Sequence, residues 1–311
     1  VPAFVGESHF NALGYSLNGS SPEGVVIAPG DVLTVTYYNS YNFQAFAQDY
    51  DFVTAAGVTA YNERVRGQVT GTRVRVLGTG DWLTTVNYYD DKYRLVQAVS
   101  DGYLGGTKLV ASERVTTRYD FVGRAEETIT THQSGAHTVA QSMVYDHAGR
   151  LVETRQAMDG GEPVVLARQE YNALGQLVKK KLHSRDIALA EGQRGYLQQP
   201  RFGYNIRGWL TSVNDPGQVN PAGELFGLAL SYNTGMELGA QGQHNGNIAE
   251  MRWATSSDAR QRGYAYAYDR ASRLEAGRYR SNAGSGWTAA GEDYTVEGLS
   301  YDANGNIQRL V

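Results

Sequence analysis

A degenerate seven-residue motif recurs along most of this chain and constrains its fold more than any other feature of the sequence. Each copy reads Tyr, Asp or Asn, two variable residues, Gly, then Arg, Gln or Asn, and finally Leu or Ile. Repetition of this kind predicts tandem supersecondary units that must stack on their neighbours to bury a core. The motif residues are Tyr89 and Asp90; Tyr119, Asp120, Gly123 and Arg124; Tyr145, Asp146, Gly149 and Arg150; Tyr171, Asn172 and Gly175; Tyr204, Asn205 and Gly208; Tyr268 and Asp269; and Tyr301, Asp302 and Gly305.

The motif is typical of a β-hairpin tip. Tyr232-Asn233 is a further candidate copy, and with it the intervals between motif tyrosines are 30, 26, 26, 33, 28, 36 and 33 residues. A turn of fixed length between connections of unequal length fits these intervals. The Asp or Asn can accept the N–H two residues on, and the Gly can close a type I turn or adopt the left-handed conformation of a bulge.

The hairpin interpretation predicts specific cross-strand neighbours. Tyr145 should face Leu151, and Tyr171 should face Leu177, each pair contributing roughly 0.2–1 kcal/mol. Asp146 should face Arg150.

Glycine is expected to adopt positive φ at the fifth motif position, for example at Gly149 and Gly175, but not at Gly160 outside the motif. Tyr93 and Ser272 occupy the fifth position in two copies, so those tips should be strained or use another turn.

The remaining sequence favours strands. Tyr264, Tyr266 and Tyr268 alternate with alanine, which is the period of a strand, and no amphipathic helix of ten residues or more is predicted. We therefore predict an all-β fold of tandem hairpins that form a long antiparallel sheet. The predicted strands include 107–118, 138–145, 163–170 and 177–183, and the predicted loops are 213–223 and 281–292.

Composition excludes several classes of function. The net charge of −4 provides no basic face for nucleic acid or anionic lipid. Cysteine is absent, so neither disulfides nor thiolate-bound metals contribute. No apolar run approaches the roughly 20 residues that a membrane-spanning helix needs. We expect no nucleic-acid partner and no membrane span.

No catalytic, cofactor or metal site is identifiable from the sequence, and we expect a protein that is not an enzyme. Nucleophile-elbow, phosphate-loop and zinc-protease motifs are absent. His132 and His137 match no common metal spacing, and we interpret them as paired polar residues near a turn. His147 should be exposed in a motif turn.

Two possible ligands, calcium and carbohydrate, are only weakly supported by the sequence. Asp302, Asn304 and Asn306 are spaced like calcium ligands, but the glycine is misplaced and a closing glutamate is lacking. The four tryptophans and the surplus of tyrosine could form a carbohydrate platform. Packing within the sheet is the interpretation that we favour for these aromatic residues.

The motif copies resemble the YD repeats of RHS proteins, a family that includes bacterial Rhs toxins, the C components of insecticidal toxin complexes and the animal teneurins. Segments 69–97 and 204–214 are similar to RHS regions of large Bacteroidetes proteins. The resemblance covers the chain from about residue 60 onward. It divides the chain into an N-terminal β segment, 1–60, and a repeat region, 61–311.

The resemblance implies a hollow β-shell in which hairpins join edge to edge into a curved, spiralling sheet around a C-terminal effector. RHS toxin shells usually end in a self-cleaving aspartyl site built on Asp-Pro-x-Gly. The only Asp-Pro here, Asp215-Pro216, lies mid-chain, so we do not expect that protease. The expected partners are the remaining repeats of the same polypeptide and an enclosed cargo, or another secreted or surface protein.

Three hypotheses for function follow. The first is a structural shell segment of a secreted or surface-exposed protein, and the second is a cell-surface adhesin that binds carbohydrate or protein. The third is a hydrolase in the less regular N-terminal part. Because both ends look cut from a longer protein, strand edges near 1–40 and 295–311 should pair with another polypeptide.

Overall fold

The motif copies and the segments between them fold into antiparallel β-structure, which confirms the predicted fold class. The computed structural model describes residues 31–43, 48–132, 135–289 and 294–310, and these residues contain no α-helix. The strands are β1 (Thr34–Asn39), β2 (Val65–Arg75), β3 (Trp82–Tyr89), β4 (Leu95–Leu104), β5 (Thr107–Tyr119), β6 (Ala125–His132), β7 (His137–Tyr145), β8 (Leu151–Met158), β9 (Val164–Tyr171), β10 (Leu177–Ser184), β11 (Phe202–Tyr204), β12 (Leu210–Val213), β13 (Phe226–Ser231), β14 (Glu250–Thr255), β15 (Gln261–Tyr268), β16 (Leu274–Asn282), β17 (Trp287–Thr288), β18 (Ser300–Tyr301) and β19 (Ile307–Arg309).

The chain divides into two compact units, 1–164 and 165–311. In the first unit, β1 to β8 lie side by side in chain order, and neighbouring strands are antiparallel. In the second unit, β9 pairs with β10, β11 to β17 again follow chain order, and β18 pairs with β19. Within each of these runs, every connection joins adjacent strands, so hairpins contact those next to them in sequence.

The predicted strands correspond to β5, β7, β9 and β10, but the predicted loop 281–292 is partly wrong. Strand β16 continues to Asn282, which pairs with Trp287 of β17. The Asn282 Oδ1 accepts the N–H groups of Gly284 and Gly286 at 2.8 and 3.2 Å. This side chain closes a tight turn where composition alone predicted a long loop. Residues 290–292 lie outside the described part of the chain.

The hydrophobic core of the first unit lies between β3–β4 and the segment that precedes β2. Val86, Tyr88 and Val99 are buried and pack with Tyr50. The Tyr88 hydroxyl donates to the Tyr50 carbonyl at 2.8 Å. Tyr41, Phe43, Phe52 and Val58 also pack against this cluster, so part of segment 1–60 is integrated with the first strands of the repeat region.

Strands β6 to β8 differ from this core because most of their side chains are only half-buried. Alternating residues on both faces have similar intermediate exposure. This pattern is that of a single-layer sheet, whose cohesion depends on links between neighbouring hairpins.

Loops cover one face of β13–β15 in the second unit. A side chain at Gly227 would meet backbone atoms of Asp215 and Pro216 within 2.6 Å. A side chain at Gly263 would meet Leu238 at the same distance. Glycine is therefore required at position 227, where the loop backbone approaches the strand, while at position 263 a larger residue would displace the Leu238 side chain.

Candidate functional site

Each motif copy lies at a hairpin tip that its Asp or Asn holds closed. At the tip between β7 and β8, the Asp146 carbonyl accepts the Gly149 N–H at 2.9 Å. The Asp146 Oδ1 accepts the N–H groups of Ala148 and Arg150, both at 2.9 Å. Equivalent pairs of bonds are made by Asp90, Asn172, Asn205, Asp269 and Asp302, and Asp120 makes the bond to its sixth-position N–H.

The cross-strand neighbours are those that the spacing predicts, and a β-bulge follows each of them. Tyr145 pairs with Leu151, and Tyr171 pairs with Leu177. The residue before Tyr145 pairs with Glu153, so Val152 is the extra residue of the bulge. The same shift accompanies all seven copies. Bulges increase local twist, and the motif itself did not predict them.

The fifth motif position has positive φ whether or not it is glycine. Gly149 and Gly175 have φ of 82° and 81°, while Tyr93 and Ser272 have φ of 60° and 63°. Both non-glycine residues close the same turn, donating to the second-position carbonyl at 3.1 and 2.9 Å. These tips therefore keep the standard turn and carry the steric cost of a left-handed side chain.

The expectation for Gly160 is wrong, because its φ is 71°. Asp159 also has positive φ, and the Gly161 N–H donates to the Met158 carbonyl at 2.8 Å. Two left-handed central residues define a type I′ turn, for which Asp-Gly is a preferred sequence. The Asp159-Gly160 dipeptide is therefore the sequence signal that predicts this turn.

The sixth motif residue pairs with the second across the tip. Arg Nε lies 2.6–2.7 Å from the second carboxylate oxygen in four copies: Arg94–Asp90, Arg124–Asp120, Arg150–Asp146 and Arg273–Asp269. Where Asn replaces Asp, the partner changes as well. The Asn172 Nδ2 donates to the Gln176 Oε1 at 2.8 Å.

These bonds hold the pKa of four tip carboxylates, those of Asp120, Asp146, Asp269 and Asp302, below their usual range. For Asp146 the main cause is the hydrogen bond from the Arg150 N–H, followed by the Arg150 side chain and its charge. For Asp269 the main cause is likewise the Arg273 N–H. The carboxylates are therefore held in their ionised form by the turns that they close.

Seven motif tyrosines link their hairpin to the preceding one. Their hydroxyls donate to a backbone carbonyl at 2.7–3.0 Å, and in six of these seven cases the acceptor is the seventh residue of the preceding copy. The bonds run from Tyr89 to Val69, Tyr119 to Leu95, Tyr145 to Ala125, Tyr204 to Leu177, Tyr232 to Leu210, Tyr268 to Ile248, and Tyr301 to Leu274.

The sixth-position side chain provides a second link, toward the following hairpin. The Arg124 guanidinium lies 4.7 Å from the centre of the Tyr145 ring. Arg273 has the same relation to Tyr301, at 4.7 Å. At the fifth copy an indole replaces the guanidinium, and the Trp209 ring lies 5.0 Å from that of Tyr232. We call this repeated Asp–Arg–Tyr arrangement the tip ladder.

Tyr232 belongs to an eighth copy whose turn is expanded by an insertion. The copy runs from Tyr232 to Gly246-Asn247-Ile248, and Ile248 provides the carbonyl that the next tyrosine binds. Glu250, which is fully buried, holds the inserted loop. Its carboxylate accepts the N–H groups of residues 237, 238 and 240 at 2.7–2.9 Å. No feature of the motif predicts the role of Glu250, although Gly246-Asn247-Ile248 repeats the ending of the last copy.

The other candidate residues have structural contacts. Asp302 accepts hydrogen bonds from Asn304 and Asn306 within its turn. The Asp215 Oδ1 accepts the Gly217 N–H at 2.8 Å. His147 is exposed. Within the ranges that the structure describes, no three or more His, Asp or Glu residues are arranged to hold a metal ion.

Aromatic side chains of β14–β16 pack against one another. The Trp253 and Tyr264 rings lie 5.8 Å apart, and Tyr264 and Tyr266 lie 5.9 Å apart. Burial raises the pKa of Tyr266 to about 12. Tyr294, at the edge of this cluster, is 60% exposed.

The sequence matches no protein-family model and no curated protein. Among solved structures, it is similar to TcdB2-TccC3 without its hypervariable C-terminal region, at 14% identity and a TM-score of 0.45, over 79% of this chain and 13% of that one. It is also similar to TcdB2-TccC3, at 11% identity and a TM-score of 0.43, over 89% of this chain and 16% of that one. A third similar structure is a Tc holotoxin pore from Photorhabdus luminescens, at 12% identity and a TM-score of 0.38, over 81% of this chain and 16% of that one. The chain thus spans less than one fifth of the length of each.

No helix among the described residues is both long and apolar enough to cross a membrane.

Proposed function

We propose that this chain is a structural scaffold, a segment of a β-shell in a secreted or surface-exposed protein that encloses an effector or another cargo. The observation that carries the proposal is the tip ladder. The same Asp, Arg and Tyr contacts recur from hairpin to hairpin, and they join neighbouring hairpins without requiring a second layer of structure. Contacts of this kind fit a structural sheet better than a ligand-binding site, because each one joins a hairpin to its neighbour in the sheet.

The half-buried strands β6 to β8 support the proposal. A soluble single-layer sheet buries little surface by itself and gains from links between neighbours. The resemblance to RHS proteins supplies the specific role, in which such a sheet surrounds a cargo. Its partners would be further repeats of the same polypeptide and the enclosed segment, and the chain itself would have no enzymatic activity.

Limited proteolysis of the natural gene product tests this role. Encapsulation predicts that a polypeptide outside the hairpins resists protease in native buffer and is cut once denaturant opens the sheet. Tyr119→Phe combined with Tyr145→Phe should lower the denaturant concentration at which cleavage begins. Immediate cleavage of all non-hairpin segments in native buffer, with the hairpins intact, would contradict encapsulation.

The second candidate function is an adhesin that binds carbohydrate or protein, and the aromatic cluster of β14–β16 favours it. Sugars stack on exposed aromatic rings, and Tyr294 is exposed beside Tyr279 at a ring distance of 5.3 Å. Glycan-array binding that is lost in Tyr294→Ala, with an unchanged melting temperature, would favour the adhesin over the shell. No binding above background would remove this candidate.

A further inference from the structure

Two histidines that are five residues apart in sequence lie directly opposite each other in the sheet. His132 ends β6, His137 begins β7, and the two are register partners. Residues that are directly opposite in an antiparallel pair point to the same face, with Cβ atoms about 4.5–5.5 Å apart. The hairpin therefore brings together two imidazoles whose sequence spacing alone matches no metal motif.

Each imidazole also has a carboxylate behind it. The His137 Nδ1 lies 3.3 Å from the Asp159 Oδ2, and the His132 Nδ1 lies 3.7 Å from the Glu113 Oε1. The four residues form a row across β5, β6, β7 and the turn after β8. This row lies at the opposite end of the β6–β7 hairpin from the motif tips.

The carboxylate determines which histidine nitrogen is available. An ionised carboxylate can only accept a hydrogen bond, so Nδ1 of His137 must carry the proton at this contact. The neutral ring then has its lone pair on Nε2. Metal-binding histidines typically donate their other ring N–H to a carboxylate in this way, which fixes the tautomer and ring orientation.

Asp159 is itself fixed in position. Its Oδ1 accepts the Thr138 N–H at 2.7 Å, and its own N–H donates to the Thr138 carbonyl at 2.8 Å. The turn that orients the carboxylate is thus part of the sheet. Both histidines are half-exposed, with 46% and 61% of their side chains accessible, so an ion can reach them from solvent.

We propose that His132 and His137 form a surface site for a divalent transition-metal ion of the zinc, copper or nickel class. Imidazole nitrogen is a preferred ligand of these ions. Two Nε2 atoms that bind one ion at about 2.0–2.1 Å must lie within roughly 4 Å of each other, a separation that fits side chains whose Cβ atoms are about 4.5–5.5 Å apart. Water completes the coordination, and the bound ion clamps the end of the β6–β7 hairpin.

Metal titration of the full chain, after chelator treatment, tests the site. Isothermal calorimetry with Zn²⁺ should show saturable binding to the parent chain. One binding site should be lost in the His132→Gln variant, and the same site should be lost in the His137→Gln variant. His147→Gln is the matched control, since His147 is exposed on a neighbouring tip but has no histidine opposite it; this variant should bind like the parent. With Cu²⁺, electron paramagnetic resonance should show two imidazole nitrogens.

The carboxylates provide a second, graded test. Asp159→Asn retains an oxygen for the Thr138 N–H but removes the charge behind His137, and should weaken zinc binding about 10-fold or more. Glu113→Gln should have a smaller effect, because its contact is longer. Metal-free variants should melt at the same temperature as the metal-free parent. Equal zinc binding by the parent and both histidine variants, or no saturable binding, would overturn the proposal.

Discussion

The pairing of the second and sixth motif residues can be tested by converting one type of tip into another. Asp120 pairs with Arg124, with Nε and Oδ2 2.6 Å apart, whereas Asn172 pairs with Gln176. Asp120→Asn keeps the oxygen that accepts the Arg124 N–H but places an amide donor against the guanidinium donor. We expect this variant, and Arg124→Gln, to destabilise the tip, and the double variant to recover part of the loss.

The magnitude follows from the exposure of the pair. Charge-assisted hydrogen bonds contribute about 1.5–3 kcal/mol, whereas exposed ion pairs contribute about 0.2–1 kcal/mol. The Asp120 side chain is 12% exposed and the Arg124 side chain is 36% exposed. We therefore expect a coupling energy between the two ranges, about 1 kcal/mol. The Arg124 guanidinium also contacts the Tyr145 ring, which Arg124→Gln loses in both the single and the double variant. A double-mutant cycle separates this contribution from the pair.

Native-state hydrogen exchange of the Arg124 amide is the appropriate assay, because two units of this size need not unfold together. A coupling of about 1 kcal/mol corresponds to roughly a fivefold difference in exchange rate between the double variant and the product of the single effects. Additive effects, with a coupling below about 0.3 kcal/mol, would refute the reasoning that the two positions act as a pair.

Three further predictions concern the turns and the inserted loop. Gly149→Val should destabilise the chain by about 1–3 kcal/mol because φ is positive there, whereas Gly80→Val, at an open site without positive φ, should cost much less; equal melting temperatures would contradict the turn geometry. Glu250→Gln should cost about 1–3 kcal/mol, since the fully buried side chain loses its charge and one of its hydrogen bonds, and should speed amide exchange in 237–240; unchanged exchange there would mean that Glu250 does not hold the loop. Because the folded pKa of Asp146 lies below the ordinary 3.8, its contribution should be constant above about pH 5 and lost as the pH falls through the folded value; an acid titration in urea checks this, and stability that increases below pH 4 would contradict it.

Much of the fold follows from the motif alone. The turn chemistry of Asp146 and Gly149 is local, so the tip, its cross-strand neighbours and the Asp–Arg pair can be predicted from seven residues. The expected strain at Tyr93 and Ser272 is local for the same reason. Strand order in chain sequence follows from short connections between neighbouring hairpins.

Features that depend on distant contacts could not be predicted in this way. The bulge at Val152 arises where the tip joins a twisted sheet, and it has no residue signature of its own. The acceptor of the Tyr145 hydroxyl belongs to another hairpin, and a periodic tyrosine is equally compatible with simple packing. The expanded copy at Tyr232 was incomplete in sequence because its insertion separates the tyrosine from the closing glycine.

The expected pairing of chain ends with another polypeptide remains a prediction. Residues 1–30 lie outside the described part of the chain. In the C-terminal region, Val296 and Leu299 bond to β16 of this chain. Strand β19 has exposed side chains, including Ile307, and its amide exchange in the presence and absence of adjoining repeats would test this prediction.

Removing single tyrosine hydroxyls measures the central claim most directly, because the hydroxyl is what joins one hairpin to the preceding one. Tyr145→Phe deletes the 2.8 Å bond to the Ala125 carbonyl, while Tyr196→Phe deletes a buried hydroxyl that has no hydrogen-bond partner among the described residues. Urea unfolding should show a loss of about 0.5–1.5 kcal/mol for Tyr145→Phe and no loss, or a small gain, for Tyr196→Phe. Equal effects of the two substitutions would contradict the tip ladder.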